Sequence, residues 1–229
     1  MPQTVRPPER ALIYHFTHIR NIPSILARGR LVADNFVGEC LVTDVGDVEI
    51  KANRRSRPVE CGPGGVVADY VPFYFAPCSP MMYKIACDHR DGVPGRYPGG
   101  DDPLVYLVSS VDRVEAAGLP WVASDANCAS ALTRFSSSVE ELAKLIDWPL
   151  MQEKIWKSTD EDPDRKRRRM AEFLVHREFP LEIVAGYVVR TRERRHELQQ
   201  VLTAAGTNDV YVDVRPDWYY GYRRREVET

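Results

Sequence analysis

The sequence predicts an α+β fold in which short strands and short helices are intermingled around a buried sheet. Three observations predict it. Apolar, β-branched and aromatic runs recur along the chain, notably at 11–16, 66–76 and 104–109, and read as buried strands. The helical stretches between them are short, and they do not alternate with the strands as a parallel βαβ array would. The glycines of Gly62-Pro63-Gly64-Gly65 read as turns and form neither GxGxxG nor a Walker sequence, so no Rossmann or P-loop nucleotide site is supported. At 229 residues, with no internal repeat or visible boundary, the chain is expected to be a single domain with a sizeable core.

Residues 1–10 (MPQTVRPPER) are Pro-rich and charged and are expected to be a loose arm. The first strand follows at 11–16 (ALIYHF). Next comes a punctuated helix: Asn21 is placed to cap it, Pro23 suits its first turn, Ile22, Ile25 and Leu26 share a face, and Gly29 ends it. Leu31, Val32 and Ala33 resume a short strand. From 34 to about 65 periodicity is lost, and so long an irregular stretch in a compact domain is usually functional or mobile. The run 66–76 (VVADYVPFYFA) predicts a central strand interrupted at Pro72. Ser79 and Pro80 open a helix, and a Gly/Pro/Asp loop over 88–102 leads to strands at 104–109 and 121–123. Short helices are expected at about 139–145 and 149–156, a strand at 183–189, a charged helix at about 192–203 and a last strand at 210–214.

Composition is that of an ordinary globular chain, 44% hydrophobic and 28% charged. A net charge of −2 gives no global field toward nucleic acid, yet the bases cluster at Arg54, Arg55 and Arg57, at 165–169, at 190–195 and at 223–225. Clusters on a near-neutral chain point to a local polyanion site, or individually to solvated helix faces. Five cysteines, odd in number and without a CxxC, argue against a disulfide framework or a zinc ribbon and fit a reducing, cytoplasmic setting. No stretch resembles a secretion signal or approaches the ~18 apolar residues of a membrane helix, so no membrane partner is expected.

Chemistry concentrates in 164–175 (DRKRRRMAEFLV), where five consecutive bases run into an apolar segment holding one carboxylate, Glu172. Its neighbours predict burial or a cleft floor. An isolated buried charge is costly, so such a carboxylate either pairs with a cation or has chemistry to do. His15 and His18 form an HxxH pair with no third ligand nearby, and no metal is expected. On a strand His15 and Thr17 share a side, which makes a small polar site unless His15 is a hydrogen-bonded core residue.

A strand ending in His-x-Thr, then NIPSIL, then Gly-x-Leu resembles the NAD-binding opening of diphtheria-toxin-like ADP-ribosyltransferases. Tyr74-Phe75-Ala76 followed by Ser79 and Tyr83 is similar to that branch's second element, and Glu172 would be its single glutamate. The closer resemblance is to the DarT family of DNA ADP-ribosyltransferase toxins. YHFTHIRNIPSIL, GRLVAD, PGGVVADYVPFYFAPCSPMMY, LVSS, RRMAEFLV and the terminal DWYY all resemble its motifs, over roughly 11–220. The resemblance implies an ADP-ribosyltransferase-like fold, mixed β-sheets with peripheral helices, over 1–229. It implies NAD+ as co-substrate and single-stranded DNA as acceptor, with thymine the modified base in members like this one and guanine in a sister group. A DarG-type macrodomain antitoxin is the implied partner. RNA or protein as acceptor, or nucleic-acid binding without catalysis, are the alternatives.

By motif, His15, Phe16 and Thr17 would hold NAD+, with Ser24 and Val32 at further contacts. Tyr74 and Met81 would line the pocket and Tyr83 would stack on nicotinamide. Arg54 would be the catalytic arginine, with Arg55 one register away. Residues 34–57 would form the NAD-binding loop, and 126–172 the substrate-facing (ADP-ribosylating turn-turn) loop. Where family members often carry a histidine early in that loop, Asp125-Ala126-Asn127 stands here, which leaves target base and DNA contacts open.

These residue types suit the chemistry. Breaking the nicotinamide–ribose bond passes through an oxocarbenium-like sugar, which a facing carboxylate stabilises; losing one such contact commonly costs ~10²–10³ in rate. Glu172 fits that role, with an arginine such as Arg54 pinning the pyrophosphate. A thymine nitrogen must lose its proton to attack, and arginine is a poor base, so Glu172 is expected to take the proton while Arg54 positions groups. For the strand, Lys166 and Arg167 would meet phosphates. Trp156 would stack a base, unless it is a core anchor.

Overall fold

The computed structural model describes residues 10–38, 42–95, 97–128, 130 and 132–225. Except for Arg10, the expected N-terminal arm lies outside them, as do residues 39–41 of the expected NAD-binding loop. The strands are β1 (Leu12–His18), β2 (Arg30–Val32), β3 (Tyr70–Tyr74), β4 (Leu104–Ser110), β5 (Trp121–Ser124), β6 (Phe135–Ser136), β7 (Glu172–His176), β8 (Glu178–Pro180), β9 (Gly186–Val189) and β10 (Val212–Val214). The helices are α1 (Ile22–Arg28), α2 (Val48–Ser56), α3 (Pro80–Arg90), α4 (Val111–Ala116), α5 (Val139–Leu145), α6 (Trp148–Gln152), α7 (Arg165–Arg169) and α8 (Arg192–Ala204).

Eight strands form one mixed sheet in the order β10-β9-β4-β1-β3-β7-β5-β6, with β2 and β8 paired apart from it. Only the β9–β10 pair is parallel. Strand β4 (LVYLVSS) is buried along its whole length, which its apolar run predicts. Alternation on β1 sends Ile13 to one core, with Phe73, Leu107 and Phe173, and Tyr14 and Phe16 to another, with Met82, Tyr106 and Tyr219.

The joint between β1 and β3 positions everything that follows. Strand β1 pairs with β4 over its full length, from Leu12↔Ser110 to His18↔Leu104, but meets β3 only at Tyr14↔Tyr74. Strand β3 then pairs fully with β7, from Tyr70↔His176 to Tyr74↔Glu172. Proline 72 explains the opening. Its carbonyl faces β1 and accepts a hydrogen bond from His15 Nδ1 at 2.8 Å. In an antiparallel strand a residue's N–H and C=O point the same way, so the N–H that proline lacks is missing on the β1 side. The expected interruption at Pro72 is therefore a parting of the sheet rather than a break in the strand.

Three local expectations are corrected. The side chain of Asn21 does not cap α1; Asn21 is helical itself and Gly29, at φ 67°, closes the helix as expected. The stretch after residue 34 is not irregular throughout, because Asp47 caps the nine-residue α2 by accepting from the Glu49 and Ile50 N–H groups. The helix expected at 149–156 stops at Gln152, so Trp156 lies in irregular chain.

Candidate active site

Glu172 is the first residue of β7 and sits directly across from Tyr74. Its backbone N–H donates to Ser124 Oγ at 3.0 Å, which fixes where the strand starts. The carboxylate is buried, its side chain 4% exposed. Oε2 accepts from Arg54 Nη1 at 2.8 Å, and Oε1 accepts from the Cys128 N–H at 3.2 Å. Burial works against the charge on Arg54, but its neighbours together, the Glu172 carboxylate first among them, hold the guanidinium pKa above its ordinary value. Neighbouring Arg55 pairs instead with Asp34 at 2.8 Å and is half exposed, so of the two arginines it is Arg54 that reaches the carboxylate. Arg54 Nη2 is buried and makes no hydrogen bond among the described residues.

This pair lies in a cleft of about 1180 Å³ at the parting of β1 and β3. Among the expected residues, His15, Phe16, Thr17, Val32, Tyr74, Met81 and Tyr83 line it along with Arg54 and Glu172. The Pro72 carbonyl can only accept, so His15 carries its proton on Nδ1. Burial first, against a smaller opposing effect of that hydrogen bond, keeps the imidazole pKa below its usual value. Phe16 and Tyr74 stack at 6.2 Å between centroids with planes 13° apart, and the Tyr74 hydroxyl rests on the Met81 sulfur at 3.6 Å. Burial raises the Tyr74 phenol pKa well above its usual value, with the Glu172 charge adding to it. Ser24 is the exception. Its hydroxyl donates to the Asn21 carbonyl at 2.9 Å and it does not line the cleft.

Sequence reasoning missed how the rim is fastened. Buried Asn21 donates to Thr17 Oγ1 (2.9 Å) and to the Thr43 carbonyl (2.8 Å), and accepts from the Thr43 N–H (2.8 Å). It thus ties the segment before α2 to the end of β1. Lys51 of α2 bridges Asp34 (2.8 Å) and Asp44 (2.7 Å), which holds the helix that carries Arg54 over the cleft. The Asp47-x-x-Ile50 start of α2 was the available signal. The N–H of Cys128 had none, because a backbone donor leaves no mark in side-chain chemistry.

At the other end of the cleft the basic run differs from expectation. Arg167 is held by Asp164 (2.6 Å) and Asp125 (3.5 Å), because the chain before α7 and the turn after β5 fold carboxylates against it. Arg168 is engaged by Asp147 and Asp162, and Arg169 is buried with its guanidinium donating to the Leu150 and Pro77 carbonyls at 2.7 Å each. Lys166 remains exposed and lines the cleft. Trp156 is 8% exposed, and its indole N–H donates to the Cys78 carbonyl and to the Tyr220 hydroxyl, both at 3.0 Å. That is the anchoring arrangement, and it leaves an edge of Trp156 lining the cleft. Asp125, where a family histidine was expected nearby, is buried and paired with Arg134 at 3.0 Å, while Asn127 lines the cleft. Among the described residues no cluster of His, Cys, Asp and Glu is arranged to hold a metal, and no helix is long and apolar enough to cross a membrane.

Comparison with known proteins bears on what such a cleft does. A family model described as ssDNA thymidine ADP-ribosyltransferase, DarT, matches residues 14–220. A DNA ADP-ribosyl transferase of Mycobacterium tuberculosis (strain ATCC 25618 / H37Rv) is 36% identical over 216 residues, covering 93% of this chain and 90% of that protein. One from Thermus sp. (strain 2.9) is 36% identical over 214 residues, covering 93% and 98%. The structure of Thermus sp. 2.9 DarT in complex with ADP-ribosylated ssDNA matches with a TM-score of 0.85 at 36% identity, covering 94% of this chain and 99% of that one. The complex of the same protein with NAD+ matches with a TM-score of 0.76 at 35% identity, covering 93% and 99%. The match takes in every strand that frames the cleft, and the chain belongs to the DarT family of single-stranded-DNA ADP-ribosyltransferases, with that family's ADP-ribosyltransferase fold.

Proposed function

We propose that this enzyme transfers ADP-ribose from NAD+ to a thymine in single-stranded DNA and releases nicotinamide, with Glu172 as the catalytic carboxylate and Arg54 as its partner. The observation that carries the reading is the buried Arg54–Glu172 pair at 2.8 Å in a cleft that also presents His15, Thr17 and Tyr74. A structural ion pair would use its hydrogen-bonding capacity internally. Arg54 instead keeps Nη2 unsatisfied inside the cleft, where the oxygen of an incoming ligand can meet it. The cleft exceeds the ~300–1,000 Å³ of common small-molecule sites, as a dinucleotide and a target base together require.

The bond between nicotinamide nitrogen and ribose C1′ breaks, and neutral nicotinamide leaves with the bonding electrons. Glu172 faces the positive charge that develops on the sugar. A thymine ring nitrogen then forms the new bond to C1′, and the proton it loses passes to the Glu172 carboxylate. Arg54 holds that carboxylate through Nη1, and Nη2 is free to bind a thymine carbonyl or an NAD+ oxygen. Since Arg54 stays charged, it orients rather than deprotonates. Neutral His15, with Nδ1 committed to Pro72, offers Nε2 as an acceptor to a ribose hydroxyl. Tyr74, beside Glu172 in the ladder, suits the nicotinamide face. That assignment leaves Tyr83 available to the acceptor. An ADP-ribose on the pairing edge of thymine would block replication, which fits a toxin whose partner is a DarG-type macrodomain antitoxin.

Mass spectrometry of oligonucleotides of varied base content, incubated with the enzyme and NAD+, tests the reading. An ADP-ribose adduct is expected on single-stranded DNA containing thymine and is abolished by Glu172→Ala. Adducts confined to guanine, RNA or protein would overturn the acceptor. Adducts made equally well by Glu172→Ala would overturn the mechanism.

A further inference from the structure

The arginines that made 165–169 look like a DNA-binding run are engaged within the fold: Arg167 and Arg168 face carboxylates and Arg169 is buried. The cations free to meet a strand are Lys166 of that run, as expected, and two lysines ahead of it. Lys154, Lys157 and Lys166 are exposed, line the cleft, and have no ion pair among the described residues. Between the first two stands Ile155, 75% exposed and also lining the cleft, an apolar side chain with no internal reason to face solvent. Its segment is fixed, because Arg165 donates to the Ile155 carbonyl at 2.8 Å and buried Trp156 anchors the chain from beneath.

Beside this bank, joined to it by the edge-on contact of Tyr83 with Trp156 at 5.6 Å, is an aromatic one. Tyr83, 38% exposed, meets Tyr220 at 5.1 Å and Tyr222 at 6.2 Å between ring centroids, both edge-on, and all three line the cleft. The Arg90 guanidinium lies over Tyr222 at 5.2 Å. The tail that carries Tyr220 and Tyr222 is clasped by buried Asp101, which accepts from the Tyr220 N–H at 2.6 Å and the Gly221 N–H at 3.0 Å.

We infer that a single strand runs along these adjoining banks at the cleft mouth, its phosphates on Lys154, Lys157 and Lys166 and its bases against Ile155, Tyr83 and Tyr222. The inference rests on the proposed DNA acceptor and specifies how that acceptor is held. Point charges on flexible stems beside exposed rings are what a strand with unpaired bases can use, since stacking faces are hidden within a duplex.

Fluorescence anisotropy with a labelled thymine-containing single strand, at several salt concentrations, tests it on the full chain. Replacing all three lysines, Lys154→Gln, Lys157→Gln and Lys166→Gln, is expected to make the plot of log affinity against log salt shallower by about 0.7 per lysine, roughly 2 in all. Tyr83→Ala and Tyr222→Ala are expected to weaken binding on the order of tenfold each with the slope kept. Lys144→Gln, an exposed lysine outside the cleft, leaves both unchanged, and thermal melts report on the folding of each variant. A wild-type slope in the triple lysine variant, or wild-type affinity in both tyrosine variants, overturns the path while leaving the acceptor intact. If the wild-type enzyme labels RNA or protein but neither binds nor labels single-stranded DNA, the acceptor reading has failed and the path with it.

Discussion

Removal of Arg54 separates what the central pair does for stability from what it does for the reaction. In Arg54→Met the Glu172 carboxylate loses the guanidinium and keeps the Cys128 N–H at 3.2 Å, in a position where its side chain is 4% exposed. Stripping the partner from a buried ion pair typically costs about 3–5 kcal/mol, because the remaining charge is left uncompensated. For a chain of this size each kcal/mol moves the midpoint of melting by about 2–4 °C, so the variant is expected to melt roughly 6–20 °C below wild type. Replacing both members, Arg54→Met with Glu172→Leu, removes the uncompensated charge along with the pair and is expected to recover most of that loss. Both variants should be inactive in the oligonucleotide assay. Calorimetric melts of the wild type, the two single variants and the double variant give the coupling directly. Melting of Arg54→Met within a degree of wild type would refute the reasoning, since it would mean that the carboxylate does not depend on this guanidinium.

Further expectations follow from the rim and the titrating groups. Asn21→Ala should strand the Thr17 hydroxyl and both Thr43 backbone groups, weaken NAD+ binding measured by titration calorimetry, and expose the 42–47 segment to limited proteolysis, at a stability cost of about 1–3 kcal/mol. Asp101→Asn should loosen the tail, raising KM for the oligonucleotide more than KM for NAD+ in steady-state assays. Burial lowers the pKa of His15, His18 and His176, so the unfolded chain binds more protons than the native one as pH falls through the unfolded value of about 6.5. Stability contributed by these groups is therefore present above that pH and lost below it. Melting temperature should fall from pH 7 to pH 5, less steeply in His15→Gln.

Legibility tracked how locally each feature is encoded. Strands β1, β3, β4 and β7 are apolar runs whose burial follows from their own residues, and the caps at Ser79 and Gly29 announce themselves. Helix α2 (VEIKANRRS) has no apolar stripe. It is held by Asp47 at its start and by Lys51, Arg54 and Arg55 reaching Asp34, Asp44 and Glu172, partners that only the fold brings near. The basic run misled for the same reason. Asp162 and Asp164 beside it were visible, but Asp125 and Asp147 come from other segments, and together these acids turn most of a presumed DNA surface into internal ion pairs. Glu172 itself was legible because a lone carboxylate among Met170, Ala171, Phe173 and Leu174 is anomalous in any fold.

One residue links the architecture to the chemistry. A proline in the middle of an eight-stranded sheet ordinarily counts against a central strand, since a ladder bond is lost. Here the loss falls on one side only. Strand β3 keeps its pairing with β7, and so holds Tyr74 and Glu172 in register, while β1 is freed beyond Tyr14↔Tyr74. With the ladder broken there, the Pro72 carbonyl needs another donor, and His15 Nδ1 supplies it from β1 itself. That bond settles the histidine's tautomer and bridges the parted strands, while burial keeps the imidazole neutral against the bond's smaller opposing effect. The opening and the orientation of His15 thus follow from one missing N–H, and the β3–β7 ladder that this loss leaves intact sets Glu172 beside them.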